Sequence, residues 1–288
     1  NYIKLLRIKH WIKNLLLFLP IVCSGALFEW EIVVTVLCGV AAFCCLASAV
    51  YIINDICDKE KDCLHEKKKY RPIASEVVSV KEGIVVAIFL LVLALVFHSL
   101  AAGLQMSALI MFILYFVINL GYSVGGLKKV PLLDIVLLAS GFLIRVMYGA
   151  EIADLQISTW LYLVIVTGAF YLGFGKRRNE LYVTNITRDV LKEYTVGYLD
   201  RCMMCAQTLS ITFYALWCLE KGKNSLSGFI WTVPVLMIAF FIYGLDIEKN
   251  SDGDPVNVIL KDKRLIAVVG AFVITLLMLL YYTLVKKL

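Results

Sequence analysis

The chain alternates between long apolar runs and shorter polar segments, and this pattern predicts its secondary structure. Nine runs are mostly apolar: 14–28, 32–53, 84–101, 105–123, 132–149, 159–175, 202–219, 228–246 and 265–284. A transmembrane helix needs about 20 such residues, whereas a strand of a membrane barrel alternates apolar and polar positions over about 10 residues. The pattern therefore predicts an all-α polytopic membrane protein with about nine transmembrane helices.

Composition agrees with this class. Of the 288 residues, 61% are hydrophobic and 17% are charged, against about 45–50% and about 25% in soluble domains. This excludes a disordered chain and disfavours a water-soluble globule. We expect one integral-membrane domain over residues 1–288. The nine cysteines lie mostly inside apolar runs, which favours helix packing over disulfides.

The basic residues are distributed unevenly along the chain. Of the 28 Lys and Arg residues, 23 lie in the N-terminal segment or in the segments after the second, fourth, sixth and eighth runs. Arg145 lies inside a run, and the other four lie in the remaining segments. The positive-inside rule then places the N-terminus and the long segments 54–82, 176–201 and 247–264 in the cytoplasm, and the C-terminus outside.

A cluster of acidic residues ends the second run. Asp55, Asp58 and Asp62 are spaced i, i+3 and i+7, so on a continuous helix they share one face. Like charges at a helix C-terminus are unfavourable, and Mg²⁺, which takes carboxylate and phosphate oxygens, would relieve them. The alternative is a solvated helix end in which Lys59 and Lys61 neutralise the acids.

Cations follow the acids directly. The segment contains His65 and then Lys67-Lys68-Lys69-Tyr70-Arg71-Pro72. A metal beside Lys and Arg suits a diphosphate, because the metal binds some oxygens and the cations bind the others. A basic loop that only sets the membrane orientation is the alternative, although it leaves the adjacent acids unexplained.

These motifs resemble a known family. Asn54-Asp55-x-x-Asp58-x-x-x-Asp62, followed by Tyr70-Arg71-Pro72-Ile73, is similar to the first Asp-rich motif of the UbiA prenyltransferase superfamily. The resemblance implies nine helices around a central cavity open to the cytoplasmic side. It also implies that the three aspartates bind Mg²⁺.

The segment after the sixth run departs from the usual pattern of that superfamily. A second acidic motif is usual there, but the chain has Gly175-Lys176-Arg177-Arg178, with Glu180 in reach of the first two cations. Charge that serves only membrane orientation is the alternative. The cationic variant resembles the branch of polyprenyl-phosphate phosphoribosyltransferases, which includes decaprenyl-phosphate enzymes.

Further stretches are similar to the same branch. They are Arg7, Trp11, Lys13, Asn14, Tyr122-Ser123, Lys128, Asp134, Ser140-Gly141-Phe142, Arg145, Glu180-Leu181, Tyr243, Asp246, Asp254-Pro255 and Asp262. The chain departs from the branch at Ile8, His10 and Glu76, where Pro, Gln and Gly are usual. A buried membrane arginine faces the protein interior or a cavity, so Arg145 either forms an internal ion pair or lines a polar cavity.

The resemblance implies Mg²⁺-dependent transfer of 5-phosphoribose from phosphoribosyl pyrophosphate to a polyprenyl phosphate. It implies Asp55, Asp58, Asp62 and Lys176 as catalytic residues. The implied substrate-binding residues are Arg7, Lys13, Asn14, Asn54, Lys69, Tyr70, Arg71, Tyr122, Lys128, Arg145, Arg177, Glu180 and Asp246.

Two other functions stay open at this point. One is a UbiA-type prenyltransferase that acts on an aromatic or other acceptor. The other is a transporter of a phosphorylated solute, although the paired broken spans typical of transporters are not found. We expect a multi-pass protein of the bacterial inner membrane. Its expected partners are phosphoribosyl pyrophosphate and a polyprenyl phosphate lipid, without nucleic acid, and homo-oligomerisation is left open.

Overall fold

The computed structural model describes residues 2–64, 68–123, 125–183, 189–222, 228–248, 258 and 261–285. These residues form α-helices and short 3₁₀ helices, and they contain no strand. The α-helices are α1 Tyr2–Leu6, α2 Leu19–Ser24, α3 Trp30–Cys57, α4 Lys59–Cys63, α5 Val80–Ala102, α6 Met106–Ser123, α7 Leu133–Ile152, α8 Thr159–Val183, α9 Val196–Lys221, α10 Val233–Glu248 and α11 Lys263–Val285. The expected all-α membrane fold is confirmed.

Within the described part of the chain, eight helices are long and apolar enough to cross a membrane. Each of them corresponds to one of the nine predicted runs, with boundaries that differ by a few residues. The remaining run, 14–28, divides into the end of a 3₁₀ helix Ile8–Phe18, helix α2 and a 3₁₀ turn Ala26–Phe28. Pro20 lies in the first turn of α2 and Gly25, at φ 92°, ends it, in agreement with the positional preferences of these residues. The count of nine is therefore not confirmed.

The chain divides into two compact units, residues 1–128 with 144–156 and residues 129–143 with 157–288. In the first unit, α3 packs along α5 and also contacts α6 and the 3₁₀ helix Ile8–Phe18. The centre of α3 is buried, with Phe43 against the rings of Phe112 and Tyr148. The single domain over residues 1–288 stays a prediction.

The second unit is built around α8 and α9, which pack along each other, and α10 contacts both of them as well as α11. Tyr171 of α8 packs against Phe240 and Tyr243 of α10. A smaller apolar cluster joins Ile135, at the start of α7, to Val190, Leu191 and Leu199. This cluster anchors the segment 189–195 beside the start of α7.

Candidate functional site

The acidic motif lies where α3 passes into α4. Asp55 is in the last turn of α3, Asp58 caps that helix with φ −95° and ψ 6°, and Asp62 belongs to α4. The helix is thus interrupted at Asp58, and the three carboxylates do not continue along one regular helix face as the spacing predicted. Asp58, at the interruption, therefore pairs with a different cation from Asp55 and Asp62.

Two arginines neutralise Asp55. Its side chain is 2% exposed, and Oδ1 accepts hydrogen bonds from Arg7 Nη2 at 2.5 Å and Arg71 Nη1 at 3.1 Å. The same Nη1 atom donates to Asp62 Oδ2 at 2.5 Å. One nitrogen therefore bonds to two carboxylates, so Asp55 and Asp62 share a single positive centre.

Asp58 has a different counter-ion. Both of its carboxylate oxygens accept from Lys128 Nζ, at 2.8 and 2.9 Å. Lys59 instead pairs with Glu76 at 2.8 Å, and this hydrogen bond raises the pKa of Lys59 and lowers that of Glu76. Lys59, which follows Asp58 directly, is therefore not its counter-ion, in contrast to the alternative considered from the sequence.

A rigid turn presents Arg71. The 3₁₀ turn Lys68–Tyr70 precedes it, its backbone N–H bonds to Lys68 O, and its carbonyl accepts from Ser75. Pro72 is buried directly after it. Lys69 and Tyr70, which directly precede Arg71 in the chain, are exposed, with the Lys69 ammonium 5.3 Å from the centre of the Tyr70 ring.

Arg7 reaches Asp55 from a strained backbone. Its φ of 51° lies in the left-handed region, which costs a residue with a Cβ about 1–2 kcal/mol. Hydrogen bonds hold the chain on both sides of it, because Ser48 of α3 donates to Leu6 O and accepts from Trp11 Nε1. Strain of this kind is typical of functional sites.

Arg145 belongs to a buried polar network. It is 5% exposed, and it donates to Asn14 Oδ1 and to Tyr115 Oη, at 2.7 Å each. Asn14 in turn donates to Cys44 Sγ. These described partners are neutral, so they do not show the expected ion pair, and the choice between an internal ion pair and the lining of a polar cavity stays open.

Gly149 allows the N-terminal segment to approach α7 closely. A Cβ at this position would lie 2.3 Å from the carbonyl oxygen of Leu17, a distance that no packed side chain tolerates. The contact explains why the 3₁₀ helix Ile8–Phe18 can lie directly on α7 and place Asn14 beside Arg145.

The second unit contains a buried ion pair. Arg177 Nε bonds to Asp134 with both side chains 0% exposed, and Arg177 Nη1 bonds to Glu180 at 2.6 Å. Tyr194 Oη donates to Asp134 and accepts from the backbone N–H of Leu132. Burial raises the pKa of Tyr194, so the phenol keeps its proton. Arg177 is thus enclosed by the protein.

The other charged residues of the second unit that were named from the sequence differ in exposure and in partners. Lys176 is half-buried on α8. Arg178 pairs with Asp200 and, at 3.5 Å, with Glu248. Arg264 contacts Asp246 at 3.4 Å and Asp262 at 2.5 Å.

The hydrogen bond from Arg264 lowers the pKa of Asp262. In the first unit, Lys13, Asn54 and Tyr122 are half-buried. The sequence-predicted residues His65, Asp254 and Pro255 lie outside the described residues.

The described residues contain no group of three or more His, Cys, Asp or Glu side chains placed to hold a metal. The chemistry of the donor set nevertheless fits a divalent cation. Asp55 and Asp62 converge on one cationic nitrogen of Arg71, and hard carboxylate oxygens are the ligands that Mg²⁺ prefers.

Sequence reasoning missed Tyr194 and the acceptor role of Asp134. The two residues are joined by a hydrogen bond although they lie 60 positions apart in the chain. Tyr194 lies in a polar segment between apolar runs, so the pattern of apolar and polar positions does not indicate that its side chain is buried.

Comparison with known proteins gives consistent findings. The family model described as the UbiA prenyltransferase family matches residues 16–178. The decaprenyl-phosphate phosphoribosyltransferase of Corynebacterium glutamicum is 32% identical over 97% of this chain and 86% of that protein. The enzyme of the same name from Mycolicibacterium smegmatis is 34% identical over 91% of this chain and 87% of its own.

Solved structures show the same fold. A UbiA homolog from Archaeoglobus fulgidus bound to GPP and Mg²⁺ superposes with a TM-score of 0.70 at 17% identity, over 97% of this chain and 99% of that one. At this identity the likeness concerns the arrangement of helices alone.

Proposed function

The chain belongs to the UbiA prenyltransferase family, and we propose that it transfers 5-phosphoribose from phosphoribosyl pyrophosphate to a polyprenyl phosphate. The observation that carries this proposal is the identity of 32–34% to decaprenyl-phosphate phosphoribosyltransferases over nearly the whole chain. The site geometry supports it, because carboxylates and cations alternate around the motif as a metal-bound diphosphate requires.

The reaction exchanges one bond at C1 of the ribose. An oxygen of the polyprenyl phosphate forms a bond to C1 while the bond from C1 to pyrophosphate breaks. The acceptor is already an anion, so no strong general base is needed. When bound, Mg²⁺ would be held by Asp55, Asp58 and Asp62 and would neutralise the charge on the leaving pyrophosphate.

The residues of this chain then orient the donor. Arg71 and Lys128 bond to the motif and Lys69 lies two residues before Arg71, and we assign these three cations to the pyrophosphate and the ribose 5-phosphate. Asn54, next to Asp55 in the chain, and Tyr70, next to Arg71, are also assigned to the donor. Each of these residues lies in the first unit.

The lipid phosphate needs cations of its own. Lys13 and Lys176 are half-buried, and they stay our candidates for it. Tyr122 and Asp246 stay candidate substrate residues. Arg7, Arg145, Arg177 and Glu180 are instead proposed as positioning residues, because the described ion pairs and hydrogen bonds already engage each of them.

The direct test uses purified protein in detergent with labelled phosphoribosyl pyrophosphate, decaprenyl phosphate and Mg²⁺. We expect a labelled lipid, its loss in chelator, and its loss in Asp58→Asn. Glu60→Gln, which removes an exposed carboxylate from the same segment, should retain activity. If geranyl diphosphate and 4-hydroxybenzoate react readily while phosphoribosyl pyrophosphate does not, the prenyltransferase alternative is correct.

The protein is a multi-pass membrane protein, and we further propose that it lies in the bacterial inner membrane with its N-terminus in the cytoplasm. The distribution of basic residues supports this orientation. Reporter fusions at residues 68–70 and within 189–195 should report the cytoplasm. A periplasmic signal from either site would contradict the proposed orientation.

A further inference from the structure

Each carboxylate of the acidic motif has a cationic partner among the described residues. Arg7 and Arg71 bond to Asp55, Arg71 also bonds to Asp62, and Lys128 bonds to Asp58. These described contacts pair every carboxylate of the motif without any ligand. A divalent cation added to this arrangement would meet positive charges that already occupy the carboxylate oxygens.

Among the three carboxylates of the motif, Asp58 is the most accessible, because its side chain is 19% exposed against 2% for Asp55 and 5% for Asp62. Its partner Lys128 is 18% exposed. Lys128 lies in the 3₁₀ turn Leu127–Lys129, 70 residues from its partner. A lysine ammonium is a compact charge on a flexible stem with three donors, so it can change partners without moving a helix.

We propose that Lys128 is an exchangeable counter-ion, which neutralises Asp58 until a divalent cation takes that carboxylate and then binds the diphosphate anion. This inference rests on the proposed function, in which the motif binds a metal and a diphosphate. Because the metal releases the cation that the anion needs, each ligand strengthens the binding of the other, and this coupling is reciprocal.

The first test measures metal binding without any anion. Mg²⁺ is titrated calorimetrically into the purified full chain, into Lys128→Met and into Lys59→Met. Both variants remove one positive charge near the motif, but Lys59 pairs with Glu76 rather than with a motif aspartate. Lys128→Met should bind Mg²⁺ about tenfold more tightly than the wild type, the gain expected when one charge-assisted hydrogen bond no longer competes, and Lys59→Met should differ by less than about threefold.

The second test measures anion binding without any metal. Pyrophosphate is titrated in chelator into the wild type, Asp58→Asn and Glu76→Gln. Each variant removes one negative charge and releases one lysine from its partner. Asp58→Asn should bind pyrophosphate about tenfold more tightly than Glu76→Gln, because the released Lys128 lies beside the other cations of the site.

The outcomes separate this inference from the proposed function. Equal Mg²⁺ affinities for Lys128→Met and Lys59→Met, or equal pyrophosphate affinities for Asp58→Asn and Glu76→Gln, overturn the exchange. If the exchange is observed while no phosphoribosyl lipid is formed, the proposed function fails and the inference stands. If labelled lipid is formed but neither affinity changes, the inference alone fails.

Discussion

Arg177 either binds a substrate phosphate or stabilises the fold through its ion pair with Asp134, and stability measurements distinguish these two roles. The cationic motif on α8 suggested that this residue binds a substrate phosphate, whereas the structure encloses it with Asp134. We predict that Arg177→Met lowers the free energy of unfolding by about 3–5 kcal/mol, the cost of leaving one buried charge without its partner.

The magnitude follows from the burial of both side chains. Asp134 is 0% exposed, and in the variant its carboxylate would keep the Tyr194 hydroxyl and lose the guanidinium. Removing both charges together avoids this penalty. The double variant Arg177→Met with Asp134→Asn should therefore recover about 1–3 kcal/mol relative to Arg177→Met alone, a coupling expected only for residues in contact.

The assay is equilibrium unfolding of the purified full chain in mixed micelles, followed by tryptophan fluorescence, together with turnover at a temperature where every variant is folded. Arg178→Met is the matched control, because its partners Asp200 and Glu248 are 46% and 64% exposed. It should cost less than about 2 kcal/mol. If Arg177→Met abolishes turnover with unchanged stability, and Asp134→Asn restores nothing, the positioning role is refuted and Arg177 binds substrate.

Two further predictions concern the backbone. Gly149→Ala should lower the free energy of unfolding by about 1–3 kcal/mol, because the new Cβ meets the Leu17 carbonyl. Gly270→Ala is the control and should not destabilise the protein, because the space around Gly270 is open. Equal shifts of the thermal unfolding temperature in the two variants would exclude the close contact. Glu76→Gly should leave the free energy of unfolding nearly unchanged. Glycine removes about 1 kcal/mol of backbone strain, because Glu76 has a φ of 58°, while the loss of the exposed ion pair with Lys59 costs about 1 kcal/mol or less. A loss of more than about 2 kcal/mol in that variant would contradict this balance.

The helices could be predicted from the sequence because their signal is local. Eight apolar runs become long helices, whereas the run 14–28 divides into shorter pieces, with Pro20 at the start of α2 and Gly25 at its end. Turn residues inside a short apolar run override its average hydropathy. The usual glycine at position 76 is likewise explained by a left-handed backbone there.

The pairing of charges could not be predicted, because it depends on contacts between distant segments. The pair Arg177 and Glu180 follows from helical spacing. In contrast, Arg7 reaches Asp55 across 48 positions. The sequence therefore indicated candidate residues, and the structure was needed to show which of their charges pair with one another.

The nitrogen of Arg71 that bonds to both Asp55 and Asp62 restricts which substitutions the protein can accept at these three positions. A single substitution of Arg71 would remove a partner from two carboxylates at once, because Asp62 would lose this ion pair and Asp55, which is 2% exposed, would keep Arg7 alone. Since Arg71 is 25% exposed, the cost is below the roughly 3–5 kcal/mol of breaking a fully buried pair, yet it is a noticeable share of the roughly 5–15 kcal/mol that stabilises a protein. Stepwise replacement at these three positions would therefore pass through a less stable intermediate, whereas the exposed pair of Lys59 and Glu76 can change one residue at a time.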